Sequence, residues 1–332
     1  MAVGNSLANR TKTQSPKTGI TTFLNSMAVI SNIDQALGKD NRQRFITGVI
    51  SAVNNNESLK ECTNQSILSG ALLGESLKLS PSPQLGHYYL VPFNDKKYGK
   101  IAQFQLGYKG YIQLAIRSGQ YRKLNVLAIK EGELEYFDPL NEEIKINLMV
   151  DKWDEREEAP TMGYYASFEL TNGFRKAIYW SKKQMMSHAD KYSAAFSKDA
   201  TQINTKYGTK EKVSIEDYEA GNYDPKDSWM YSSHWYKDFD QMAYKTMLRQ
   251  LISKWGIMSI DLQNAMESDM AMINEDGTKE YVDAVTEENI VADQDLQEAV
   301  EETTEPEKQE PQEETTKEEP QQFFKYKKGV TR

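Results

Sequence analysis

The chain breaks in composition near residue 261, and that break limits what can fold. Residues 261–320 hold 21 Asp and Glu against 3 Lys and Arg, a net of −18. The run EETTEPEKQEPQEETTKEEPQQ at 301–322 contains no aliphatic or aromatic side chain. It cannot bury enough apolar surface to offset the entropy of ordering it. Residues 266–332 are therefore expected to be an acidic, mostly disordered tail, closed by FFKYKKGVTR, an aromatic-basic peptide of the kind that docks on a partner. Residues 1–20 are polar and expected to be disordered as well. The core must come from residues 21–265. Over residues 1–260 the charge reverses, with 33 Lys and Arg against 28 Asp and Glu. A basic body joined to an acidic tail suits a polyanionic ligand and a regulatory or partner-binding tail. The N-terminus lacks the apolar region of a signal peptide. No run of about 20 apolar residues offers a membrane span. The single cysteine, Cys62, excludes a disulfide framework within one chain. A cytoplasmic protein with no membrane partner is expected.

The body opens with helical periodicity. Residues 21–37 read as a first helix. Residues 42–53 read as a second, with Phe45, Val49 and Val53 four apart. Residues 61–77 read as a third, capped by Ser58 or Thr63, with Gly74 as a weak helix former near its end. Two prolines, Pro81 and Pro83, stop this region. Residues 87–93, HYYLVPF, then read as a strand, placed at a sheet edge by Pro92. A turn follows, and residues 100–106 return as its hairpin partner. Residues 108–118 form a helix ended by Gly119. Further on, Asn172-Gly173 between two β-rich runs predicts a hairpin, and Ser181 with Gln184 predicts a capping box for a helix to about Tyr192. Residues 151–158 read as an acidic loop. Residues 195–228, with 197–227 at their centre, are too polar and too long for an ordinary connection and are expected to be mobile. Residues 234–255 read as the last long helix. The fold class is α+β, a small antiparallel sheet and hairpins packed on helices.

The charge pattern points to nucleic acid. Residues 96–130 carry eight Lys and Arg and no Asp or Glu, with five tyrosine and phenylalanine rings interleaved. Cations attract phosphates and aromatic faces stack on bases. A solvated lysine-rich hairpin accounts for the same composition. Lys109 and Arg117 lie on a polar ridge of the 108–118 helix; Tyr108 and Tyr111 lie on its apolar stripe, which assigns them to the core before it assigns them to base stacking. Lys97, Lys100, Arg122 and Lys123 are second candidates, and Lys182 in the first turn of its helix is a further one. Lys237, Gln241, Lys245 and Arg249 make a second ridge spaced by four, opposite Tyr244, Leu248, Leu251 and Trp255. Lys245 and Arg249 are expected to grip phosphates, and replacing either by Ala to weaken binding without unfolding the chain.

No phosphate-binding G-x-x-x-x-G-K-[ST] loop is present, so no ATP-driven recombinase is expected. The three histidines have no metal-ligand spacing, and His87 reads as a strand residue satisfied by a hydrogen bond. Two other function classes stay open. Asp138 followed by Glu143 and Lys145 faintly matches a metal-dependent nuclease site, and the basic patch also suits an adaptor that binds acidic proteins.

Three ordered blocks carry a family resemblance: LGHYYLVPF at 85–93 with QLGYKG at 105–110 and AIRSG at 115–119; MAYKTMLR at 242–249, similar to an M-x-x-K-T-x-x-R helix; and Glu61, Cys62 and Ser66 upstream. Over residues 25–262 the chain resembles the RecT family of phage-type single-strand annealing proteins. The resemblance implies an annealing-protein superfamily core, ATP-independent annealing of complementary strands in homologous recombination, and rings or helical filaments on single-stranded DNA and nascent duplex. It implies no bond chemistry and no cofactor, with Mg2+ assisting annealing only nonspecifically. It also implies two partners, an exonuclease of phage origin and host single-strand-binding protein. Residues 197–227 and the strongly acidic tail depart from the family pattern.

Overall fold

A computed structural model describes residues 18–95, 98–193, 195–205, 208–274 and 278–281, and these form an α+β fold. The expected disordered N-terminus up to residue 17, most of the expected tail with its terminal peptide, and Lys96 and Lys97 lie outside the described residues.

The expected first helix divides into α1 (Ile20–Leu24) and α2 (Met27–Leu37), with Ser26 extended at the N-cap of the second. Helix α3 (Lys39–Asn54) buries Phe45, Val49 and Val53 as their spacing requires. Helix α4 (Asn64–Ser76) starts at Thr63, whose side chain accepts the Ser66 N–H. Ser66 is itself buried, and its Oγ accepts the Ala102 N–H at 2.9 Å. Gly74 sits inside this helix for a packing reason: a Cβ there would fall on the ring of Tyr88. The glycine that weakens the helical pattern is thus a seat for a buried tyrosine.

That tyrosine opens β1 (Tyr88–Asp95), paired antiparallel with β2 (Gly99–Leu106) from Tyr88↔Leu106 to Asp95↔Gly99. Helix α5 (Tyr108–Arg117) follows directly. Strand β3 (Tyr121–Lys130) leads to a hairpin of β4 (Leu134–Asp138) and β5 (Glu143–Ile146). The acidic stretch expected as a loop forms α6 (Trp153–Glu158). Arg156 reaches inward to buried Glu133 at 2.6 Å, and Glu133 also accepts the Lys130 and Met149 N–H groups. One carboxylate so ties the end of β3, the segment after β5 and α6 together.

Strands β6 (Thr161–Leu170) and β7 (Arg175–Ser181) form the hairpin predicted at Asn172-Gly173 and complete a sheet of order β3-β6-β7. Helix α7 (Lys182–Tyr192) has the predicted capping box. The 195–228 region carries β8 (Thr201–Thr205), β9 (Gly208–Lys212) and α8 (Ile215–Glu219). Its Tyr218 stacks on Tyr223 and on Tyr231 and meets Tyr236 edge-on, and buried Lys212 lies 4.5 Å from the Tyr236 ring.

The expected long helix is two. Helix α9 (His234–Lys237) stops at Asp238, whose side chain accepts the Gln241 N–H and caps α10 (Phe239–Trp255). A carboxylate N-cap satisfies orphan amide donors and suits the positive end of the helix. Ala243, Met247, Leu248, Leu251 and Ile252 are fully buried along α10, which packs on α5 and on one face of β3-β6-β7. Helix α11 (Ile260–Ser268), β10 (Ala271–Ile273) and β11 (Lys279–Tyr281) follow. Strand β10 joins β2 in the order β1-β2-β10-β11, so regular structure continues within 266–332, where composition alone placed the tail.

Candidate nucleic-acid interface

The first turn of α5 is the centre of the candidate site. Its N-cap is Gly107, which offers no side-chain acceptor to the first amides of the helix. Such a terminus presents unsatisfied N–H groups and a positive dipole end. Close packing explains the glycines around it. A Cβ on Gly107 would collide with the Gly86 carbonyl, and one on Gly110 with the His87 carbonyl. The loop before β1 is therefore pressed against α5, and the His87 carbonyl accepts the Gly107 N–H at 2.9 Å.

Lys109 stands on this turn, exposed, with its ammonium 5.9 Å from the Tyr108 ring and no carboxylate partner among the described residues. Tyr108 is half-buried, edge-on to Tyr244 of α10 at 5.5 Å. Burial, and then the nearby charge of Asp238, pushes its hydroxyl pKa up. His87 accepts the Ser80 N–H at Nδ1, at 3.3 Å. Burial and the charges of Arg117 and Lys109 lower its pKa, so it is neutral at neutral pH. The family blocks on α5 and α10 thus meet through Tyr108 and Tyr244.

Deeper in, the second block behaves differently from a solvent ridge. Lys245 is buried and its Nζ lies 2.9 Å from Asp269 Oδ1. Arg249 Nη1 lies 3.2 Å from Asp269 Oδ2 and keeps its side chain 37% exposed. Asp269 is fully buried and also accepts the Leu106 N–H at 2.9 Å, at the end of β2. Tyr111 is fully buried with its hydroxyl beside Arg249 and Asp269, and burial drives its pKa up. Tyr111 takes the core place its helical stripe assigns it first, and its secondary reading as a base-stacking face is set aside, because no ring edge or face reaches solvent. Lys245 as a direct phosphate ligand is corrected for the same reason: its charge is spent inside, on Asp269.

The other candidates separate in space. Arg117 donates to the Leu77 carbonyl at 2.5 Å and the Lys78 carbonyl at 3.3 Å, closing the C-terminal end of α4. Lys100 pairs with Glu61. Lys182 pairs with Glu219 at 2.8 Å. Arg122 and Lys123 turn to Glu169, at 3.2 and 3.6 Å. Lys97 lies outside the described residues.

Sequence reasoning missed Asp269 and Glu169. Asp269 has an indirect signal: residues 243–248 are apolar or small on every side of Lys245, and a cation in such a helix needs a buried counter-charge. His188 was missed as well. It lies between Trp180 and Tyr192, and burial together with the charges of Arg249 and Lys191 lowers its pKa to about 4. Among the described residues no group of three or more His, Cys, Asp or Glu is arranged to hold a metal ion. The Asp138 carboxylate is engaged by the Leu140 and Asn141 amides, the Asn141 side chain and the Tyr136 hydroxyl, as the cap of its turn.

Comparison with known proteins gives the chain a family and two relatives. The model of the RecT family matches residues 43–288. The chain is similar to the uncharacterized protein YqaK of Bacillus subtilis (strain 168), 37% identical over 265 residues, covering 80% of this chain and 75% of that protein. It is also similar to Protein RecT of Escherichia coli (strain K12), 27% identical over 266 residues, covering 79% and 84%.

Proposed function

The chain belongs to the RecT family, and on that footing we propose that it binds single-stranded DNA and anneals complementary strands in recombination, as an oligomer and without ATP. The observation that carries this reading is Lys109, exposed and without a carboxylate partner among the described residues, on a helix terminus whose glycine cap offers the first amides no side-chain acceptor. Annealing makes and breaks no covalent bond. It requires phosphates held by cations, bases left free to pair, and the repulsion between strands screened. Lys109, the first amides of α5 and the exposed part of Arg249 supply the first requirement. Tyr108 is held by Tyr244 with one side outward, so it lies against the backbone or a base without entering the stack. Lys245, Asp269 and Tyr111 form the buried frame that fixes α5 against α10. A divalent cation adds only screening. An exonuclease that exposes single strands and a host single-strand-binding protein are the proposed partners in the cytoplasm.

Lys109→Ala tests this reading. Its side chain is exposed, so the fold is expected to be unchanged. Oligonucleotide affinity is expected to fall about fivefold, and the slope of log K against log salt to flatten by about 0.7, the share of one phosphate contact. Unchanged affinity and slope in a folded variant would remove α5 from the interface.

A further inference from the structure

The three-stranded sheet has two faces: α10 packs on one, and the β4–β5 hairpin flanks the other. Tyr164, Ala166, Phe168 and Leu170 of β6 are buried; the Tyr164 hydroxyl donates to Asp240 of α10 at 2.6 Å, and its ring meets Tyr244 at 6.0 Å. The α5–α10 interface therefore lies on that side. Alternate residues Tyr165, Ser167 and Glu169 point the other way. There the sheet and the β4–β5 hairpin enclose an open groove of about 830 Å³, lined by Lys123, Tyr136, Lys145, Tyr165, Ser167 and Arg175 among others.

One end of this groove carries a cluster built around a hidden anion. Glu169 has a side chain only 6% exposed, yet Arg122, Lys123 and Arg175 all converge on it, at 3.2, 3.6 and 3.1 Å. The three cations are 67%, 73% and 73% exposed. A β-bulge makes the cluster possible. In a regular strand Arg122 and Lys123 would point to opposite faces. The register instead passes from Tyr121↔Leu170 to Lys123↔Glu169, leaving Arg122 as the extra residue, so that both side chains reach the same carboxylate. Arg175 arrives from β7, directly opposite Glu169. Burial works against ionisation of Glu169, but the charges of Arg175, Lys123 and Arg122 hold its carboxyl below the usual range. The surface thus shows three fixed cationic heads and almost none of the anion that arranges them. On the hairpin side Glu142 is taken up by Lys176.

We propose that Arg122, Lys123 and Arg175, arranged by Glu169, form a second phosphodiester-binding locus that holds a separate DNA strand on the sheet face opposite α5 and α10. Glu169 is a positioning residue; the three cations touch the strand. The proposal rests on the annealing reading for its ligand class. It adds that one subunit carries two strands on two faces, and so can collect an incoming strand before pairing begins.

The test loads the full chain with one oligonucleotide, photo-cross-links it in place, and then adds a labelled, non-complementary second strand. The wild type is expected to capture the second strand. In Arg122→Gln/Lys123→Gln/Arg175→Gln, capture falls about tenfold while affinity for the first strand stays within about twofold. The charge-keeping variant Arg122→Lys/Lys123→Arg/Arg175→Lys restores capture. If the triple variant does not fold, Arg175→Gln alone carries the same prediction with about a threefold loss. Undiminished capture in a folded variant overturns the locus, and so does a parallel loss of the first strand. Capture of labelled polyglutamate as tightly as DNA would overturn it in favour of an acidic protein partner. Absence of first-strand binding in the wild type would defeat the annealing reading instead; second-strand capture that still depended on the three cations would leave the locus standing.

Discussion

Single residues in this fold are settled by their neighbours rather than by their type. His188 has a ring between Trp180 and Tyr192 and two cations nearby, Arg249 and Lys191. Its pKa falls from 6.5 to about 4 on folding. The unfolded chain therefore binds this proton more readily than the folded one. Stability contributed here is intact above about pH 6.5 and is lost as pH falls toward about 4. His87 and His234 shift in the same direction, burial being the first cause in both. The part due to His188 is about 2 kcal/mol between pH 7 and pH 5. Urea melts at the two pH values measure it, and His188→Gln should show a pH dependence smaller by that amount. An equal pH dependence in the variant would mean that His188 titrates normally in the folded state. None of this was visible in the sequence, where His188 is one polar residue of an amphipathic helix.

At the scale of elements, α10 shows where local pattern suffices and where it fails. Tyr244 of its apolar stripe is half-buried and Trp255, at the same spacing, is exposed. Leu248 and Leu251 were legible because they follow the helical period and need no other part of the chain. The same holds for the Asn172-Gly173 turn and for the Ser181–Gln184 capping box, both local devices. The ridge of cations spaced by four was legible as spacing but not as exposure. Asp269 decides that, and its partner amide at Leu106 is 163 residues away in sequence. The break at Asp238 was also hidden, because Lys237 and Asp238 fit a continuous helix as well as a cap. The family motif on α10 therefore divides between two roles, with a measurable consequence. Lys245→Ala leaves a buried carboxylate short of one charge and should cost about 3 kcal/mol in thermal or chemical denaturation. Arg249→Ala, part exposed, should cost about 1 kcal/mol and weaken oligonucleotide binding by about threefold. Equal stability losses in the two variants would contradict this division.

For the whole molecule, the α+β class followed from the order of helical and strand-like patterns, whereas the break in composition fell short of the end of the core, which still takes in Met266, Ala271 and Ile273. What composition could not place is the return of the chain after α11. Asp269 enters the core, Met270 donates its N–H to the Phe104 carbonyl at 2.9 Å, and Ala271 pairs beside Phe104. The body is thus closed by a segment that reads as the start of the tail. Arg122, Lys123 and Arg175 gather on Glu169 of β6, while Lys109 stands apart on α5. The most direct test of the central claim is an annealing reaction followed by resonance energy transfer. Full-length protein is given a donor-labelled strand, then its acceptor-labelled complement, with no nucleotide present, and the products are run on a denaturing gel. Energy transfer rising about tenfold faster than in a protein-free control, with both strands at full length on the gel, is the predicted result. No acceleration, or strands shortened in the presence of a divalent metal, would contradict the account.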